Sequence, residues 1–312
     1  MTHAIGANQR QQVGPGRRAL RLAAIEPYLY IAPALLLLLV FKYWPMAFSL
    51  VLSFTNWKFA KPNLEWAGLS HYTGLLGRET FTIALRNTPV YILGLAPFYI
   101  ILPLVLAVFL SAIPWERVRS LYKAIAFSPS VLSFAITCMV WLWMFNAVNG
   151  ILNQVLMRFG LPPQSWLDDS RLALWSIVLV SGWRGFGYNM VLYLAAMSTI
   201  PNEYLEAARI DGANGWQLFW KIKWPLLSPT TFFMLVTTVM FAAERAFIPI
   251  NILTKGGPHQ ATTNLSYAIY LFAFNFFDAG LASAAATLTF VLFVLVTVAQ
   301  IRYLERYVTY EA

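Results

Sequence analysis

Charge is scarce in this sequence. Asp, Glu, Lys and Arg make up 11% of its 312 residues, against about 25% in an ordinary soluble domain. Hydrophobic residues account for 59%. A fold surrounded by water has nowhere to hide that much apolar surface, so part of the solvent is lipid. Cysteine is scarcer still: the single Cys138 lies in an apolar run, which excludes a disulfide framework within the chain and reads as a packed thiol. His3, His71 and His259 are dispersed, with no acidic or thiol companions, so no metal site is expected. No Gly-x-x-x-x-Gly-Lys-Ser/Thr segment occurs, and the chain therefore has no phosphate-cradling loop of its own. Nor is there a cluster of acidic, His or metal-ligand residues facing one interface, as an enzyme acting on lipid-linked substrates would need. No catalytic residue is assigned. The net charge of +9 comes from basic residues scattered between apolar runs rather than gathered on one face, which excludes a nucleic-acid partner.

What is present is a series of long apolar runs. A chain of this length has room for roughly six spans of about 20 residues plus connections, and none for a large soluble domain besides. The runs are approximately Pro27–Phe54, Pro89–Ile113, Ala124–Phe145, Leu172–Thr199, Thr230–Leu253 and Leu281–Tyr303. The first follows a basic stretch but is too long for a signal peptide, whose apolar core is about 7–15 residues. It reads as an uncleaved helix, kinked where Lys42, Tyr43, Trp44 and Pro45 interrupt it, with its aromatic residues in an interfacial belt. The aromatic segment Leu265 to Gly280 reads as a helix lying near the outer face or packed beneath it. The expected fold is thus an all-α membrane protein with six transmembrane helices: a tail at 1–26, a six-helix domain at 27–303 and a tail at 304–312. With the N-terminus inside, the inner segments carry twelve Lys and Arg and the outer segments seven. That bias puts both termini in the cytoplasm.

The longest inner connection, 200–228, carries its own local structure. Pro201 suits the first turn of a new helix, and Glu203 and Glu206 complement the positive end of that helix. Ala207 and Ala208 are strong helix formers of little bulk, over which a partner's surface can approach closely. Gly212 can take the left-handed conformation that stops a helix. Asn214 and Gln217, three apart, form a capping pair for a second helix, which Pro225 and Pro229 end before the fifth span. A plain polar connector is the alternative, although most helix–helix connections are only about 2–8 residues long.

The spacing here resembles a known family. Glu206-Ala207-Ala208, then Gly212 after Asp211, then Ile222 and Pro225 is similar to the E-A-A-x-x-x-G-x(9)-I-x-L-P loop of ABC-importer permeases, with Trp224 in place of the usual Leu. Trp66-Ala-Gly-Leu-Ser-His-Tyr72 resembles the outer F-x-G-L-x-N-Y segment of carbohydrate importers, with His71 for Asn. Leu253-Thr-Lys-Gly-Gly-Pro-His-Gln-Ala-Thr-Thr263 resembles their L-T-x-G-G-P-x-x-A-T-T signature, and Asp278-Ala-Gly-Leu-Ala-Ser-Ala284 their D-x-G-x-A-S-A element. Within that family the sequence resembles the first permease subunit of sugar and glycerol-3-phosphate importers. The resemblance implies that Glu206, Ala207, Ala208, Asp211, Gly212, Ile222 and Pro225 belong to a coupling helix seated in a cytoplasmic ATPase dimer. ATP would be bound by that partner, with no cofactor on this chain. A second, non-identical permease and an extracytoplasmic solute-binding protein complete the implied assembly.

Charges within apolar spans default to functional candidates. Arg184 lies about twelve residues into the fourth run, near mid-membrane at about 1.5 Å per residue. Gly185, Tyr188 and Asn189 follow it, offering close approach, an aromatic face and an amide to a small polar solute. Glu244 and Arg245 lie near the middle of the fifth run. The family resemblance puts the positions of Gly185, Tyr188 and Arg245 in the substrate cavity. Three roles stay open: solute contact, structural pairing of Glu244 with either arginine, and contact with a second permease. An ion-gradient-driven carrier would account for Arg184, Glu244 and Arg245 but not for the 200–228 loop.

Overall fold

The computed structural model describes residues 17–59 and 64–304. Of the two expected tails, 1–16 and 305–312 lie outside the described residues, whereas 17–26 are helical. The chain divides into two units, Met1–Val51 and Leu52–Ala312. In the first, α1 (Arg17–Leu38) passes through a wide turn, Leu39–Tyr43, into α2 (Trp44–Leu52). Its apolar side chains from Tyr28 to Val51 are mostly exposed. The expected interruption at Lys42–Pro45 is this wide turn, and the helix runs on through it.

The second unit holds the remaining helices. A short α3 (Ser70–Leu76) leads into α4 (Glu79–Ala96), a wide turn Pro97–Ile101 and α5 (Leu102–Ser111). Together α4 to α5 form a 33-residue path, about 50 Å at 1.5 Å per residue, so the helix starts ten residues before the apolar run at Pro89. The third apolar run is not one helix. α6 (Glu116–Val131) and α7 (Phe134–Met144) meet at a 97° bend, because Leu132 and Ser133 are extended, with ψ near +140°. A short α8 (Ile151–Arg158) precedes the 26-residue α9 (Ala173–Ser198). After it come α10 (Asn202–Ile210), α11 (Gly215–Leu218), a wide turn Phe219–Lys223, α12 (Trp224–Leu226) and α13 (Ser228–Arg245). α14 (Phe247–Pro249), a wide turn Ile250–Thr254, α15 (Leu265–Tyr270), a wide turn Leu271–Asn275 and α16 (Ala279–Leu304) complete the order. Among the described residues there is no strand, only two isolated bridges. By length and composition four helical paths can cross a membrane (28–52, 79–111, 228–254 and 279–303), and the bent α6–α7 pair makes a fifth.

Three of the wide turns share a cause. Leu39–Tyr43, Pro97–Ile101 and Phe219–Lys223 each end two residues before a proline: Pro45, Pro103 and Pro225. The residue between, Trp44, Leu102 or Trp224, bonds its N–H five residues back, to Leu39, Pro97 or Phe219. A proline inside a helix lacks the N–H and its ring clashes with the carbonyl four residues earlier, a penalty of about 3 kcal/mol. Widening the preceding turn moves that carbonyl away and keeps the helix continuous. Pro225 therefore does not end the second helix of the inner loop as expected. The path continues through α12 and Leu227 into α13, with Leu227 N–H bonding Lys223 O at 2.9 Å and Thr231 N–H bonding Leu227 O at 2.9 Å.

α9 is the hub of the second unit. Thirteen of its residues are buried, and one face packs Ile177, Val178 and Val180 into a core with Tyr91, Leu95 and Tyr99 from the α4–α5 path, Trp141 of α7, and Ala242 and Ala246 around the end of α13. Farther along, Met190 and Tyr193 join Leu104, Ala107 and Leu110 of α5 and Met234 of α13. Gly187 makes the crossing with α6 possible: a Cβ there would collide with the Ala126 carbonyl. Small residues let helix backbones approach where dispersion and polar contacts hold spans together. α15 is packed rather than surface-lying, with Leu265, Ala268 and, just beyond, Phe272 buried against α3, α4 and α16.

Candidate functional site

Two places carry the residues singled out in the sequence. The first lies midway along α9. Arg184 sends its Nε to the Leu132 carbonyl at 3.1 Å, and its own carbonyl accepts from Ser130 Oγ at 2.8 Å. Its guanidinium sits 4.0 Å over the Phe134 ring. All three partners flank the α6–α7 bend, so Arg184 fills the carbonyl left open where α6 stops. Arg245, at the end of α13, lies 3.9 Å over Phe241 and 5.9 Å from the Tyr99 ring centre. Both arginines are half-buried. Glu244 pairs with neither: it is exposed, and the ion pairs formed among the described residues lie elsewhere. Two guanidiniums within electrostatic reach of each other thus stand without a carboxylate within 4 Å among the described residues.

Tyr99 joins these groups, and nothing in the sequence pointed to it. Its ring is buried directly against Gly185, where a Cβ would overlap it. Its hydroxyl donates to Ser181 O at 3.2 Å and its carbonyl accepts from Asn189 Nδ2 at 2.8 Å. Gly185 and Asn189 therefore face the wide turn before Pro103 rather than open space, while Tyr188 is half exposed on another side of α9. An uncharged tyrosine within an apolar run gives no sequence signal. Its role follows only from the glycine facing it.

The second place is the inner loop. α10 exposes Glu203, Glu206 and Ala207, half-buries Ala208, and leaves Ile210 87% exposed. Asp211 closes the helix with its N–H to Ala207 O at 3.0 Å. Gly212 then turns at φ +83°, with open space around its Cα. The left-handed conformation, not crowding, requires glycine there. Asn214 and Gln217 form the reciprocal capping pair, each side chain accepting from the other's backbone N–H at 2.9 Å. Ile222, in the turn Phe219–Lys223, and Pro225, in α12, are half-buried. The exposed apolar residues Ile210 and Trp216 were not singled out in the sequence. Trp216 stacks edge-on with Trp220 at 5.5 Å.

The remaining sequence signatures do structural work. Thr262, Thr263 and Asn264 are fully buried. Asn87 of α4 donates to the carbonyls of Ala261 and Thr263, both at 3.0 Å, Tyr91 donates to Thr262 O at 2.9 Å, and Asn264 Nδ2 reaches Ala243 O at 2.9 Å. The Gly-Gly-Pro loop is thus clamped between α4 and α13. Asp278 caps α16, accepting from Leu281 N–H at 2.9 Å, and faces Lys58 at 3.9 Å.

Helices long and apolar enough to span a bilayer, together with a capped helix-corner-helix projecting from a connection, define a class. Residues 79–310 match the family of binding-protein-dependent transport system inner membrane components, and the chain belongs to it. It is a permease subunit of an ABC importer, a multi-pass protein of the inner membrane, rather than an ion-gradient-driven carrier. Among individual relatives, it is 32% identical over 286 residues to the sn-glycerol-3-phosphate transport system permease protein UgpA of Agrobacterium fabrum, covering 92% of this chain and 97% of that one. It is 34% identical over 303 residues to the probable ABC transporter permease protein YesP of Bacillus subtilis, covering 95% of each. A crystal structure of a bacterial ABC transporter involved in the import of the acidic polysaccharide alginate contains a chain with the same fold: TM-score 0.80, 23% identity, 93% of this chain and 99% of that one.

Proposed function

We propose that this chain is one of two non-identical permeases that import a small polar solute, a sugar or a glycerol-3-phosphate-like molecule. In this reading α9 is a span despite its polar middle, because protein covers Gly185 and Asn189 and half-buries Arg184. Added to the four apolar paths and the bent α6–α7 pair, it makes six, an even number, with both termini on the cytoplasmic side. α10 and α11 then lie at the inner face as the coupling helix. An extracytoplasmic binding protein delivers the solute to the outer connections. ATP binding closes a separate ATPase dimer, and the docked coupling helices move with it. The spans rock between outward- and inward-open states around the cavity near Arg184 and Arg245. Two uncompensated guanidiniums suit phosphate or polar hydroxyl groups, since charge-assisted hydrogen bonds are about twice as strong as neutral ones.

The observation that carries this reading is the inner loop: a capped corner that presents Glu203, Glu206, Ala207 and Ile210 to the outside of the fold. The test is import into vesicles reconstituted with the whole transporter. Glu206→Lys is expected to reduce ATP-driven import at least tenfold while this chain still assembles with the second permease. Import equal to wild type would remove α10 from the coupling path.

A further inference from the structure

On the inward side of α10 the structure holds a cavity of about 410 Å³ that the transport reading leaves unused. Its cationic lining is Arg119 and Lys123 from α6, Arg209 from α10 and Lys223 from the turn before α12. Asn202 and Ser198 add polar groups, and no acidic residue lines it. Arg119 pairs with Glu116 one turn earlier, but its Nε is buried without a hydrogen-bond partner. Lys123, Arg209 and Lys223 have no carboxylate within 4 Å among the described residues. Burial first, and the Arg209 charge second, press the Lys223 ammonium below its ordinary pKa. Like charges gathered in a recess destabilise the fold unless an anion joins them.

The residues lining the recess alternate along α5, α6 and α9 with those of an apolar groove. Lys123 and Arg119 share one face of α6 with Tyr122 and Ala126, at helical spacings of three and four. Ser111 follows Leu110 on α5, and Leu194 and Met197 follow Met190 on α9. Leu110, Tyr122, Ala126 and Met190 line a second cavity of about 430 Å³ on these same three helices, deeper along the bundle. Basic head and greasy tail therefore adjoin. A free phosphate would use only the first cavity, whereas a phospholipid uses both.

We propose that this paired recess and groove is a binding site for an anionic phospholipid of the inner leaflet. The phosphate sits among Lys123, Arg209 and Lys223, and one acyl chain lies along α5, α6 and α9. A bound lipid would brace α10 from behind without touching its exposed face, and juxtamembrane cations of this kind attract anionic lipid.

The experiment is native mass spectrometry of the full chain, released from detergent after titration with phosphatidylglycerol, phosphatidylcholine or inorganic phosphate. Wild type is expected to retain phosphatidylglycerol at least fivefold over phosphatidylcholine. Lys123→Gln combined with Lys223→Gln should abolish that preference, and Lys123→Arg combined with Lys223→Arg should keep it. Equal retention of the two lipids by wild type overturns the proposal, whether or not inorganic phosphate binds. So does a preference that survives the double glutamine variant. Should that variant not fold, the wild-type lipid comparison and the double arginine variant still decide it.

Discussion

Arg184 and Arg245 look alike in the sequence, yet they are held differently. Arg184 has a hydrogen bond to Leu132 O and a ring contact with Phe134, both at the α6–α7 bend. Arg245 lies against the rings of Phe241 and, more distantly, Tyr99. A hydrogen bond to a charged group contributes about 1.5–3 kcal/mol and a partly exposed cation–π contact about 0.5–1. Arg184→Gln is therefore expected to lower the thermal midpoint of the detergent-purified chain by a loss of about 1–2 kcal/mol, discounted for partial exposure. Arg245→Gln should change stability less and import more, raising the solute concentration needed for half-maximal uptake by about tenfold, the worth of one charge-assisted contact. Wild-type uptake by Arg245→Gln, with equal amounts of assembled transporter, would take Arg245 out of the cavity. Glu244 supplies the internal control: exposed and unpaired with either arginine, it should tolerate Glu244→Gln with little effect on the midpoint.

Among elements, the inner loop turns on a single dihedral. Gly212 sits at φ +83° with nothing within 4 Å of an added Cβ, so its replacements should be ranked by backbone preference rather than by size. Asparagine enters the left-handed region readily, and a β-branched residue does so rarely. Gly212→Asn should keep most ATP-driven import, whereas Gly212→Val, strained by about 1–2 kcal/mol or more, should lose most of it through a misplaced α10. The two performing alike would show that the corner is not under conformational control. Elements of this kind are legible in a sequence because their causes are local: Pro201, Gly212 and the Asn214–Gln217 pair act within a few residues. The α6–α7 bend is not, because the Leu132 carbonyl is answered by Arg184, 52 residues on. The start of α4 was missed because Glu79, Arg86 and Asn87 read as a polar connection, while Asn87 in fact clamps the 261–263 backbone. Proline does not mark a helix end at either Pro89 or Pro225. Pro89 sits inside α4 and Pro225 inside a continuing helical path, the latter accommodated by a widened turn before it.

At the scale of the molecule, the proposed topology and the proposed docking face make separate claims that one labelling scheme can separate. Cys138 is the sole cysteine and is buried, so Cys138→Ala leaves a thiol-free chain in which a single introduced cysteine reports its own surroundings. Ile210, at 87% exposure, is the most exposed large apolar residue of α10 and lies beside the glutamates assigned to the ATPase. An isolated apolar side chain at that exposure is ordinary on a surface. In the same charge-bearing loop as the exposed Trp216 and Trp220, it instead suits the apolar core of an interface with a polar rim. With six spans and the N-terminus inside, Ile210→Cys should react with a membrane-impermeant maleimide in inside-out vesicles and stay unmodified in intact cells. Modification from outside would overturn the orientation while leaving the helix-corner-helix untouched. Assembly with the ATPase subunit should then slow modification at least tenfold, because a residue at the core of an interface is sealed from water. Unchanged labelling in the assembled transporter would leave the orientation standing and reject α10 as the docking element, so a failure of one claim cannot be mistaken for a failure of the other.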